Sequence, residues 1–358
     1  MIKLLCTALS TVRRSNNRRP WSRQYLALFC YSPSFSFDAR QWILRLVPLL
    51  LLPIWLPAQA ANNYTFPGNI PAVCTGPSSG VYTCTPLTLD ASDTITITEP
   101  TAITVSGDFT TGSATQINEA GNSDLTITVT GITDLGANTI LKGNIIGSNT
   151  TTGTITIGAN SQVEGDLTTT EAGVINIGSD SSVVGNLNTQ SGAINVGDRS
   201  TVTGLISSSL AGVITIGDDS VVVGDLNTLS GAINAGDRVT ITGSILSSLA
   251  GVITVGADAI VTGDIATTYE GSEIGAGAIT IGASANVGGN VETATAGAIT
   301  VGALANVTGG ATVHKAGALT IGANSTVGER ISTSCEVVTP PTSLPRIISR
   351  QWRQVFMR

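Results

Sequence analysis

From Gly153 to Arg330 the chain repeats one pattern of apolar and polar positions nine times. Its plainest copy is Gly173-Val-Ile-Asn-Ile-Gly-Ser-Asp-Ser-Ser-Val-Val-Gly-Asn-Leu187. The copies open at Gly153, Gly173, Gly192, Gly212, Gly231, Gly251, Gly277, Gly297 and Gly317, at spacings of 20, 19, 20, 19, 20, 26, 20 and 20. Self-similarity at a fixed period of about 20 residues predicts a solenoid. Four columns are apolar in every copy. Two residues after the opening glycine stand Ile155, Ile175, Ile194 and their equivalents, and four after it Ile157, Ile177, Val196 and theirs. The third column runs through Val163, Val183 and Val202, and the fourth through Leu167, Leu187 and Ile206.

The first two columns lie two residues apart, the period of a strand, and their residues are mostly β-branched. A second glycine, five after the first (Gly158, Gly178, Gly197), predicts a corner with an unusual backbone angle. A third follows the third column at Gly165, Gly185 and Gly204. The predicted fold is all-β: a single-stranded parallel β-helix, with nine regular coils over residues 153–331. Stacking at about 4.8 Å per coil makes those nine a rod of roughly 43 Å. Residues 87–152 keep the alternation without the strict repeat and predict about three irregular capping coils. Tyr269-Glu-Gly-Ser-Glu-Ile274 is an insertion predicted to loop out, and residues 332–358 read as a Pro-containing linker and basic tail.

Two polar columns set the predicted register. Two residues beyond the corner glycine the central coils carry Asp180, Arg199, Asp219, Arg238 and Asp258, so in-register stacking places each arginine between two aspartates. Between the first two apolar columns the outward position reads Thr156, Asn176, Asn195, Thr215, Asn234, Thr254, Thr280, Thr300 and Thr320. Residues 173–211 and 212–250 match at 29 of 39 positions, which marks the two-coil unit as a duplication.

Charge is sparse, at 11% of 358 residues, and unevenly placed. Residues 1–60 hold eight Lys/Arg and one acid, residues 346–358 four Arg and no acid. Between them lie 23 acids and five bases, a net of −18 that argues against nucleic acid as a partner. In residues 1–60, Arg40 and Arg45 precede the apolar run Leu46–Leu56, and Ala58-Gln59-Ala60 follows, the order of an export signal with an extended basic region. Export predicts a periplasmic, outer-surface or extracellular protein. It also predicts a disulfide between Cys74 and Cys84, which clips residues 61–86 across a turn-rich loop and leaves Cys335 over.

The runs Val-x-Gly-Asp-Leu, Val-x-Gly-Asn-Leu and Ile-Thr-Ile-Gly-Ala, over roughly residues 87–331, resemble the coils of bactofilins. Those are polymer-forming bacterial proteins built as right-handed β-helices. The order of signal, Cys-flanked loop and coils is similar to exported proteins of the pilus-biogenesis, mannose-sensitive haemagglutinin type. The predicted signal departs from cytoskeletal bactofilins, and the expected linker and basic tail after the coils depart from the large domain of the pilus type. The resemblance implies right-handedness, self-association end to end or laterally, and envelope components or pilus machinery as partners.

Catalysis on a β-helix needs a cluster that breaks the repeat, and nearly every aspartate here keeps a repeat position. The column Asp198, Asp218 and Asp237 reads either as a weak Ca²⁺ site or as a solvated edge neutralised by Arg199 and Arg238. His314, the one histidine, reads as a surface residue. The expectation is therefore a protein without catalytic, cofactor or metal residues: a structural rod at the envelope. Glu329, Ile331 and Cys335 would form its assembling end. The alternative is an adhesion module binding carbohydrate or ice through the Thr/Asn column.

Overall fold

Short strands of alternating burial, separated by glycine corners, bury their apolar residues by stacking on copies of themselves. A computed structural model shows them doing so. It describes residues 60–333 apart from 122–123, 149–152, 250, 268–276, 295–296 and 315–316, together with the backbone of 338–339 and 346–347. The predicted leader up to residue 59, the Tyr269–Ile274 insertion, Lys315 and Cys335 lie outside the described residues. Among those described there is no helix, and the fold is a parallel β-solenoid of about 12 turns.

Each coil contributes one strand to each of three sheets. Sheet I, of 13 strands, runs from Leu87–Leu89 through Ile155–Ile157 and Ile175–Ile177 to Val338–Thr339. Sheet II, of 14, runs from Asn63–Phe66 through Gln162–Glu164 to Arg346–Ile347. Sheet III, also of 14, runs from Cys74–Ser78 through Leu167–Thr169 to Ile331–Thr333. Register is strict: Ile155, Ile175 and Ile194 are successive partners, as are Val163, Val183 and Val202. All four predicted columns face inward in the central coils, for example Ile214, Ile216, Val222 and Leu226. The stretch from residue 87 to 147 supplies three less regular coils.

Six side chains, not four, fill a coil. Ser161, Ser181, Ser200 and Ser220 form one further buried column, and Thr169, Thr189, Ser208 and Thr228 another. Burying a hydroxyl costs free energy unless it is bonded. Ser181 donates to the carbonyl of Gly158 at 3.3 Å and accepts the N–H of Ser161 at 3.2 Å, while Thr169 donates to the carbonyl of Gly173 at 2.8 Å. In the fifth to eighth regular coils Val239, Ala259, Ala285 and Ala305 replace the serines, and Ser325 restores one in the ninth.

The corner glycine is required for proximity and not, as predicted, for an unusual angle. A Cβ on Gly178 would stand 2.5 Å from the nitrogen of Ala159 and 2.7 Å from the carbonyl carbon of Gly158, backbone atoms of the previous coil. The left-handed residue falls two positions later and is not glycine: Asn160, Asp180, Arg199, Asp219, Arg238, Asp258, Ser284, Leu304 and Asn324 have φ between 55° and 62°.

The N-terminal end is closed by a reversal. Strand β1 (Asn63–Phe66) starts sheet II; β2 (Cys74–Ser78) and β3 (Val81–Cys84) form an antiparallel hairpin in which Cys74 opposes Cys84 and is disulfide-bonded to it. Strand β3 continues sheet III in parallel, so the sheet ends on β2, whose Pro77 lacks a ladder donor. The turn after β1 covers that strand's own edge. Asn69 accepts the N–H of Thr65 at 2.8 Å, and its side chain donates to the carbonyl of Asn63 at 2.6 Å. At the other end the stack runs past Ile331, where the sequence predicted a linker: Val338–Thr339 and Arg346–Ile347 pair with Leu319–Thr320 and Thr326–Val327.

Candidate functional site

The polar residues of the repeat sort into corner columns and outward faces. At the corner between sheets I and II, the carboxylate of Asp198 accepts the backbone N–H of Asp218 at 3.0 Å. Asp218 accepts that of Asp237 at 2.9 Å, and Asp237 that of Ala257 at 2.7 Å. Each acid is thus bonded to the following coil. Among the described residues no group of three or more His, Cys, Asp or Glu side chains is arranged to hold a metal.

The corner between sheets II and III uses the same device. Asn144, Asp166 and Asn186 accept the N–H groups of Asp166, Asn186 and Leu205, and Asp225, Asp264 and Asn290 accept those of Ser244, Asn290 and Gly310. These N–H groups stand at bends, and a side-chain acceptor one coil back satisfies them. At this corner Leu205 interrupts the column.

The charge ladder resolves into two forked pairs. Arg199 donates through Nε and Nη2 to Asp180, both at 2.7 Å, and Arg238 through the same atoms to Asp219, at 2.5 and 2.7 Å. Each arginine directs its fork to the aspartate of the coil before it. The hydrogen bond from Arg199, and then its charge, hold the carboxyl of Asp180 below its ordinary range, and Arg238 does the same to Asp219. Reciprocally, both guanidinium groups are shifted up, Arg199 also by the more distant charge of Asp219. Asp258 is an exposed rung beyond the second pair.

On sheet I the Thr/Asn column stands outward and in register from Thr156 to Thr320, and the same line extends back through Asp134. Asn195 donates to Asn176 at 2.8 Å, so part of its hydrogen-bonding capacity runs along the ladder. His314 lies 3.7 Å from Glu292 on the surface. Glu329 is exposed and Ile331 half-buried against the core.

Two polar features escaped the sequence reading. The buried Ser and Thr columns did, and so did Asp93, whose buried carboxylate accepts the N–H groups of Asn62 at 2.6 Å and Asp90 at 2.8 Å and ties the segment before β1 to the first full coil. An Asp three residues after another in a turn was the available signal. No model of a known protein family matches this chain, and no curated protein or solved structure matches it either.

Proposed function

We propose that this protein is a non-catalytic, exported structural β-solenoid that self-assembles as a scaffold or spacer at a bacterial cell envelope. The observation that carries the reading is the fate of the corner acids. Asp166, Asp198, Asp218, Asp225, Asp237 and Asp264 each accept a backbone N–H of the next coil, so the repeat's commonest reactive group is committed to stacking. What the rod offers a partner is then its faces and ends. Envelope components or pilus machinery are the proposed neighbours. The Cys74–Cys84 disulfide is compatible with an oxidising compartment. Sedimentation velocity of the processed chain across a concentration series tests the reading: mass should rise with concentration, and a fixed monomer mass would refute self-assembly.

A second reading draws on the exposed register of sheet I, with one hydroxyl or amide per coil from Thr156 to Thr320. In it the column binds carbohydrate or ice. Ice shaping and freezing hysteresis by the purified chain would favour it; an inert chain at high concentration would remove the ice form.

A further inference from the structure

Sheet II differs from the other two faces. In the regular coils its strands point their first and third residues outward and bury the middle one, so most coils present two outward side chains instead of one. In an acidic body this face is free of charge from Ser182 to Gly328 at every outward position. Val184 is 52% exposed, Val223 and Ile260 43% each. Val184, Val221, Val223 and Ile260 are thus large apolar side chains exposed on a face that carries no charge. The ladder of Asp180, Arg199, Asp219, Arg238 and Asp258 runs along its edge.

We propose that this face packs, antiparallel and face to face, against the same face of a second copy of the chain, about a twofold axis lying between the coils of Asp219 and Arg238. The proposal rests on the self-assembly reading above and names its lateral contact. Its argument is charge complementarity. A ladder alternating in sign is self-complementary under a twofold axis placed between two rungs. Asp219 then meets Arg238 of the second copy, and Arg199 meets Asp258 of the second copy, each contact occurring twice. A guanidinium has five N–H donors, and the intrachain fork uses Nε and Nη2, so Nη1 serves the second carboxylate. The same axis lays Val221 and Val223 over Thr240 and Thr242 of the second copy. Along the opposite edge Asp225 faces Ser244 and Asp264 faces Leu205, so no like charges meet on that edge.

The parallel alternative fails on the same residues. An axis along the rod, in register, would set Asp219 against Asp225 and Asp258 against Asp264, and like charges across an interface are costly. Six coils at about 4.8 Å give a contact of a few hundred Å² per copy, the low end of specific interfaces, so the association is reversible and concentration-dependent.

Sedimentation equilibrium on four preparations tests this. The wild-type chain should show a monomer–dimer equilibrium. Val221→Lys with Val223→Lys, both outward positions, should weaken it at least about tenfold while leaving the circular dichroism spectrum intact. Arg199→Asp with Arg238→Asp should be monomeric alone, as should Asp219→Arg with Asp258→Arg. An equimolar mixture of these two charge variants should recover a mixed dimer, which a merely structural role for the ladder cannot produce. Wild-type-like dimerisation of the double-lysine variant, or no recovery on mixing, overturns the proposal. If that variant associates as strongly as the wild type, the lateral contact fails and the scaffold reading stands on the rod ends. If the wild type is monomeric throughout, both fail, and ice shaping by that monomer would assign the face to ordered water.

Discussion

Asp218 and Asp237 occupy the same position in successive coils, and the carboxylate of Asp218 accepts the backbone N–H of Asp237 at 2.9 Å. One side chain satisfies the next coil's backbone, and the motif repeats wherever that column carries an acid. Replacing Asp218 by Ala should lower stability by about 0.5–1.5 kcal/mol, the net worth of such a bond at an exposed corner. Asp218→Asn keeps the acceptor and removes one of three stacked charges, so it should match or exceed the wild type. Denaturant titration of both variants checks the pair; equal losses would mean that charge, not the acceptor, matters at this corner.

The apolar columns were legible because strand alternation and β-branching point the same way in each copy. Ile216 could be placed inside and Thr215 outside from the sequence alone, and both positions agree with the structure. Ser181 and Thr189 could not. A serine or threonine reads as outward until the corner that supplies its acceptor carbonyl is known. The left-handed residue was hidden for a related reason: Asp180 and Asn160 suit that conformation, but Arg199 and Leu304 in the same column do not. The closing hairpin was legible in its cysteines, while the burial of Asp93 beside it depends on a contact 31 residues away in sequence.

The inside–outside assignment predicts opposite outcomes for adjacent residues. Ile216→Asp places an unpaired carboxylate in the core and should cost several kcal/mol, beginning locally because coils support only their neighbours. Thr215→Asp should be tolerated. Thermal melts with hydrogen exchange over the central coils measure both; comparable sensitivity would contradict the burial of this strand.

Glycine substitutions should run in opposite directions within one corner type. Gly178→Ala drives a methyl group into backbone atoms of the preceding coil and should destabilise clearly. Leu304, 61% exposed at φ 62°, holds a left-handed conformation that costs an ordinary side chain about 1–2 kcal/mol, so Leu304→Gly should stabilise on balance. Chemical denaturation decides, and a stabilised Gly178→Ala would refute the proximity argument.

Acid should remove what the two forked pairs contribute. Asp180 and Asp219 have folded-state values below the ordinary carboxylate value, so their contribution is complete above that value and is lost as pH falls through the depressed one. Both arginines stay charged throughout. The stability difference between wild type and the Arg199→Gln, Arg238→Gln double variant should therefore be present at neutral pH, shrink with added salt, and vanish once the pH has fallen below both depressed values. A difference that persists in acid would place the arginines' role elsewhere.

On the proposed reading the corner acids serve stacking, and the protein acts through the faces and ends of an assembling rod. Negative-stain electron microscopy of the processed chain, at concentrations spanning its association, tests this most directly. Rods should pair side by side or join into longer filaments as concentration rises. Discrete single rods at every concentration would contradict it.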